Sequence, residues 1–255
     1  MDKIDKQLFD YSKRDERRWL ELDGLIKKLN LPLKDVLMNF QAFSRRRDIV
    51  RFLSHYEIFK ETINLPGVVM ELGVSKGTSL LTWAHLMETF CPGDRTKKVY
   101  GFDHFEGLVD FQDEDGKVNT NDKAGKHIGG WKAPKELPEK LCELFNEDTF
   151  VPNINRVELI EGDIFDTLPK FIENNPGLRI SLLHLDVDLY RASKFALEKL
   201  FPLVVKGGAI VFDEYGLIPW EGEAKAVDEY FKEINYEPKI LKHRFTVTPS
   251  GYFFK

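Results

Sequence analysis

The stretch Gly67-Val-Val-Met-Glu-Leu-Gly-Val-Ser-Lys-Gly77 decides how the rest of the chain is read. Apolar Val68, Val69 and Met70 lead into Glu71, then into Gly73 and Gly77, and a helical pattern comes next. This is the punctuation of a buried parallel strand, a tight glycine turn, and a helix whose N-terminus faces a ligand. Without a Cβ, glycine lets the backbone turn sharply and lie against a cofactor. The full GxGxxG pattern is absent, so the stretch gains its weight from the strands and helices C-terminal to it.

Outward from Gly67 the pattern alternates. Strands are expected at 67–73, Lys98–Asp103, Val157–Asp163, Ile180–Asp188 and Gly207–Glu214. Helical periodicity fills 78–90, 165–174, 190–201 and 222–234. Strands alternating with helices predict a doubly wound, mostly parallel α/β sheet with helices on both faces. The tail breaks the rule: Ile240–Val247 and Tyr252–Phe254 read as extended, joined by the turn signal Thr248-Pro249-Ser250-Gly251. Seven strands ending in an antiparallel hairpin are therefore expected. Residues 1–64 read as a separate helical extension, with Asp48 capping a helix that carries Ile49, Phe52, Leu53, Tyr56, Phe59 and Ile63. That extension pairs subunits or forms a packing layer; residues 65–255 form the main domain.

The segment 104–137 differs in kind. It carries Gly107, Gly116, Gly125, Gly129 and Gly130 together with His104, His127 and Trp131. A connection this long inside a compact domain is a lid or binding loop, or else disordered. Its place after the second strand, at the edge where α/β proteins bind ligands, favours the lid.

Composition narrows the class. The chain has 255 residues and a net charge of −5, with no excess of Lys and Arg to neutralise nucleic-acid or membrane phosphates. Its charged N-terminal stretch lacks an apolar signal core, and no apolar run is long enough to span a bilayer, so a soluble cytoplasmic protein is expected. Cys91 and Cys142 show no metal-ligand spacing.

Acids stand at five strand ends: Glu71, Asp103, Asp163, the pair Asp186 and Asp188, and the pair Asp213 and Glu214. A single acid there is unremarkable, since it often caps the next helix. Parallel strands place all their carboxyl ends on one edge, which brings these acids to one crevice. Asp103 suits a ribose diol and Asp163 an adenine amino group. Asp186, Asp213 and Glu214 offer an all-oxygen set for a hard divalent cation such as Mg²⁺. Without a cation or a proton, three clustered carboxylates repel one another and raise at least one pKa.

The motifs ELGVSKGTS (71–79), VYGFDHFEGL (99–108), EGDIFDTLP (161–169), LHLDVDLYRASKFALEKLFPLVVKGGAIVFDEYG (183–216) and AKAVDEYF (224–231) resemble a known family. It comprises the S-adenosylmethionine (SAM) dependent sugar O-methyltransferases of the macrocin and mycinamicin type, the TylF/MycF/NovP group. The resemblance covers roughly residues 65–255 and implies a class I SAM methyltransferase fold, Rossmann-like. It implies that Glu71, Gly73 and Gly77, with Ser75 and Ser79 of the same motif, line the methionine part of SAM. Asp103 with Phe105 would take the ribose, and Asp163 with Ile164 the adenine. Asp186, Asp213 and Glu214 would hold the metal; Glu214 departs from the family, which often has a second Asp there.

The same resemblance implies a deoxysugar acceptor, nucleotide-linked or in a glycosylated natural product, and a homodimer. A metal-held hydroxyl needs a base, read here as Asp188, with Asp186 as metal ligand and alternative base. His127, Trp131 and Tyr215 are the candidate substrate contacts. Competing readings are a metal-dependent glycosyltransferase using Asp186-Val187-Asp188 as a DxD motif, and a SAM-binding protein without catalysis. A nicotinamide dehydrogenase fits less well, given the missing middle glycine.

Overall fold

The computed structural model describes residues 3–117 and 125–255. Part of the expected lid, residues 118–124, lies outside the described residues. The chain divides into two compact units, Met1–Ile49 and Val50–Lys255.

The first unit is helical. Helix α1 (Lys3–Leu29) ends at Asn30, whose left-handed φ of 48° stops the helix ahead of Pro32. Two short helices follow, α2 (Leu33–Met38) and α3 (Phe40–Phe43). Helix α4 (Arg46–Lys60) begins in this unit and continues into the second. The sequence places Asp48 as a cap outside this helix; in the structure it sits within the first turn. There it accepts the backbone N–H of Arg45 at 3.3 Å, which is the reach-back half of a capping box. Of the expected stripe Phe59 is buried and Tyr56 and Ile63 pack against the core, but Phe52 and Leu53 stay exposed and Ile58 is buried in their stead.

The second unit is built on a six-stranded sheet of order β3-β2-β1-β4-β5-β6. Its strands are β1 (Val68–Leu72), β2 (Val99–Asp103), β3 (Val157–Glu161), β4 (Ile180–Leu185), β5 (Val204–Phe212) and β6 (Gly251–Phe254). The first five are parallel; β6 runs antiparallel to β5, pairing Ala209 with Phe254 and Phe212 with Gly251. The expected seventh strand is absent among the described residues. Only Leu241 bridges Tyr252, with N–H···O distances of 2.7 and 2.9 Å in the two directions. His243 then leaves the strand path: its ring nitrogens meet Ser54 at 2.8 Å and Tyr252 at 3.1 Å.

Alternation along the strands sorts the core into two layers. Met70, Leu72, Leu183, Leu185, Ile210 and Phe212 face α7 (Ile164–Asn174), α8 (Tyr190–Leu200) and α9 (Glu221–Glu233). Val69, Leu182, Ala209 and Val211 face the other way, toward Leu80, Trp83 and Met87 of α5 (Thr78–Phe90) and Ile58 and Phe59 of α4. Helix α6 (Glu136–Glu147) was not read from the sequence. Strand order reverses direction between β1 and β4, so a crevice opens at their carboxyl ends.

Candidate active site

A cavity of about 460 Å³ occupies that crevice, within the size range of small-molecule sites. Its floor is set where β1 meets β4. Gly73 has φ +88°, and a Cβ there would lie 1.7 Å from the carbonyl oxygen of Asp186. The glycine is thus required by protein packing as well as by any ligand that approaches it. Asp103, at the end of β2, ties the adjoining turns together. One carboxylate oxygen accepts the N–H groups of Val74 and Ser75, both at 2.7 Å; the other accepts Phe105 N–H at 2.7 Å. Asp163 caps α7, accepting the N–H of Phe165 at 2.9 Å, and Ile164 beside it is buried.

Strand β4 ends at Leu185, three residues earlier than expected. Asp188 has φ +60°, a left-handed turn just past the strand end, and Asp186 and Asp188, two residues apart, both stand at the cavity wall. Asp186, Asp188 and Glu214 offer oxygens within 4.8 Å of one another. Asp213 falls in a second group, with His184 and Asp186. Burial raises Asp188 and Glu214 well above the usual carboxylate range, and the neighbouring acids push the same way. Asp186 is pushed up to about 7 by burial and by Asp213, against the pull of Arg51 and His184. Beneath them Glu223, fully buried on α9, accepts the N–H of Glu214 at 3.0 Å.

Two cations stand among these acids. Arg51, from α4, meets Asp213 at 2.8 Å and Asp186 at 3.2 Å. Burial alone would raise Asp213, but Arg51 and His184 hold it below its ordinary value. His184 is fully buried, opposite Glu71 in the β1–β4 register, with its Nδ1 3.1 Å from Glu71 and its Nε2 3.5 Å from Asp213. Burial disfavours its charge, but the two carboxylates outweigh that and raise it to about 10. His184 therefore lies between Glu71 and Asp213, with the Trp83 indole nitrogen 3.3 Å from its Nδ1.

The structure brings together at the cavity wall Gly73, Ser75, Asp103, Phe105, Trp131, Asp163, Ile164, Asp186, Asp188, Asp213 and Glu214. Five other candidates stand off it. Glu71 lies a layer below, on His184. Gly77 starts α5 with φ +84°, against Pro138. Ser79 accepts from Arg51 at 3.0 Å. Tyr215 donates its hydroxyl to Asp228 at 2.8 Å, and His127 sits in a turn of 125–131. Residues that sequence reasoning missed are Arg51, Thr248, Leu108, Leu189, Leu217 and Trp220. The last four form the apolar wall, and only the spacing of Leu217 and Trp220 after the acid pair hinted at it.

The sequence profile of the macrocin O-methyltransferase (TylF) family matches residues 57–242. The chain belongs to this family. One relative, from Streptomyces olivaceus, is 8-demethyl-8-(2,3-dimethoxy-alpha-L-rhamnosyl)-tetracenomycin-C 4′-O-methyltransferase. It is 28% identical over 155 residues, 60% of this chain and 54% of its own length. The matched stretch thus spans about half of that relative. Demethyldecarbamoylnovobiocin O-methyltransferase from Streptomyces niveus is 29% identical over 75% of this chain and 67% of its own. Among solved structures, the calicheamicin methyltransferase CalS11 superposes with a TM-score of 0.82 at 28% identity, covering 94% of this chain and 92% of CalS11. Its apo form is described as a TDP-rhamnose 3′-O-methyltransferase. Class I methyltransferase architecture, Rossmann-like, is therefore the fold of this chain. Among the described residues no helix is long and apolar enough to cross a membrane.

Proposed function

We propose that this family member is a SAM-dependent O-methyltransferase that moves a methyl group to a hydroxyl of a deoxysugar, nucleotide-linked or within a glycosylated natural product. The observation that carries the reading is the division of one cavity. Gly73, Ser75, Asp103, Asp163 and Ile164 line one side, and the carboxylates of Asp186, Asp188, Asp213 and Glu214 line the other. The relatives' rhamnosyl, novobiocin and TDP-rhamnose substrates support a sugar acceptor.

The roles come from position. SAM, when bound, supplies an electrophilic methyl group on a sulfonium. Asp103 lines the cavity, and its Oδ1, which accepts one backbone N–H where Oδ2 accepts two, keeps a lone pair for a ribose hydroxyl. Asp163 and the first turn of α7 offer the adenine side. Leu108, Leu189, Leu217 and Trp220 exclude water from the acceptor side.

The acid group fits a hard divalent cation. All its donors are oxygen, and Oε2 of Glu214 is buried with no partner among the described residues. Asp186, Asp213 and Glu214 would hold Mg²⁺ or a similar ion, which would supply a Lewis acid that lowers the pKa of the sugar hydroxyl. Asp188, facing the same space, accepts the hydroxyl proton on its carboxylate. Trp131, on the cavity wall, offers an indole face to the sugar. His127 and Tyr215 keep supporting places, in the lid and behind the acid pair. In this reading residues 65–255 are the catalytic domain, 104–137 its lid and 1–64 an extension that pairs two copies in a cytoplasmic homodimer.

Calorimetric titration with S-adenosylhomocysteine, with a UDP-sugar plus Mn²⁺ as control, tests the reading. Tight binding of the first and none of the second is expected; the reverse would make Asp186 and Asp188 a glycosyltransferase motif. Methyl transfer to a panel of activated sugars should then fall on EDTA treatment and return with Mg²⁺. Turnover indifferent to EDTA would remove the cation from the scheme.

A further inference from the structure

Arg51 lies outside the segment that matches the family profile, and its guanidinium sits inside the acid group. Its contacts are complete at both ends of the fork. One terminal nitrogen donates to Asp213 and to Thr248; the other donates to Ser79 and Asp186. Each terminal nitrogen of a guanidinium carries two hydrogens, so all four are directed to protein oxygens. Although Arg51 lines the cavity, it has no terminal N–H left for an acceptor or a cofactor.

Asp213 is held on Oδ2 by Arg51 at 2.8 Å, while its Oδ1, 3.5 Å from His184 Nε2, is buried with no hydrogen-bond partner among the described residues. Glu214, by contrast, has no cation in ion-pair contact among the described residues. It is 7% exposed, and its buried Oε2 has no partner among the described residues. The oxygens that converge with it come from Asp186 and Asp188, not from Asp213. Neighbouring residues 213 and 214 therefore present one carboxylate with its countercharge supplied and one that lacks any.

We infer that Arg51 is the resident cation of this site and a positioning residue: it holds Asp213 as its counterion and steadies Asp186. A divalent cation is then left to Asp186 and Glu214, with Asp188 beside it. Mg²⁺ ordinarily takes one or two carboxylates and fills its remaining positions with water and substrate oxygen, so two protein ligands suffice. The inference rests on the proposed divalent-cation site and changes its ligand set, removing Asp213.

The test is Mn²⁺ binding to the whole protein, read by electron paramagnetic resonance and independent of turnover. E214Q should weaken binding at least tenfold by removing a ligand. R51Q removes a positive charge close to the ion and should tighten binding about tenfold, and D213N should weaken it by a similar factor through charge alone. The deciding variant is R51Q/D213N, which removes both charges and keeps an amide pair in their place. It should bind Mn²⁺ within about threefold of the unaltered protein, because distant Coulomb effects cancel while a lost ligand cannot be restored that way. R51K should return the affinity toward the original value. Far-UV circular dichroism and a melting curve select the variants that fold.

Loss of Mn²⁺ binding in R51Q/D213N, matching that of E214Q, would make Asp213 a ligand and overturn the inference. An unaltered protein that binds S-adenosylhomocysteine but no Mn²⁺ would overturn it as well, while leaving the methyltransferase reading intact.

Discussion

Replacing Gly73 by alanine should do more damage than any other single methyl group added to the sheet. The left-handed φ of +88° costs an L-residue roughly 1–2 kcal/mol on its own. The new Cβ would also lie 1.7 Å from the Asp186 carbonyl oxygen. Backbone on both sides must part by more than about 1 Å, and such overpacking typically costs about 1–3 kcal/mol more. The total, roughly 2–5 kcal/mol, should lower the urea midpoint by about 0.7–1.7 M at an m-value of ~3 kcal/mol/M. Gly93→Ala is the control, because an added Cβ there meets nothing within 4 Å. The assay is urea unfolding followed by circular dichroism, paired with S-adenosylhomocysteine titration of the folded fraction. A Gly73→Ala protein within about 1 kcal/mol of the parent, with its ligand affinity kept, would refute the claim that β1 and β4 leave no room here.

Asp188→Asn should lower kcat by about 10²–10⁴-fold, the usual contribution of a positioned base, while S-adenosylhomocysteine affinity stays nearly constant; an equal loss of both would point to structure instead. The pH dependence of stability should carry the mark of His184. Its folded pKa of about 10 lies above its ordinary value of 6.5, so its stabilisation is fully present below pH 6.5 and is lost as pH rises to 10. Scanning calorimetry should show Tm falling across that window, and His184→Gln should flatten the limb. Lys126 is buried against the Pro219 carbonyl and Glu221, with its ammonium 5.8 Å from the centre of the Trp220 ring. Lys126→Met should loosen the loop that shapes the acceptor side, raising KM for the sugar about tenfold with kcat little changed.

Much of the fold is legible because the chain obeys one rule for most of its length. The buried strands are short apolar runs, helices separate them, and Gly73 and Gly77 mark the first turn. The 78–90 helix falls where its apolar spacing puts it. The tail is less legible, since Ile240–Val247 has the alternation of a strand yet His243 takes its hydrogen bonds from Ser54 and Tyr252. Convergence of the acids could be read from strand ends alone. Their pairing could not, because it depends on Arg51, which meets both Asp213 and Asp186. No local pattern distinguishes that arginine from its neighbours Arg45, Arg46 and Arg47. Contacts made across 135 and 162 residues leave no mark in spacing.

Asp103 has a mechanical consequence. The glycine turn after β1 and the first residues of the lid hang from the two oxygens of one carboxylate, through Val74 and Ser75 on one side and Phe105 on the other. Neither backbone can shift without pulling on the same pivot. A hydrogen bond that draws on that carboxylate is therefore felt in both turns. Any movement of either turn is a movement about a shared axle.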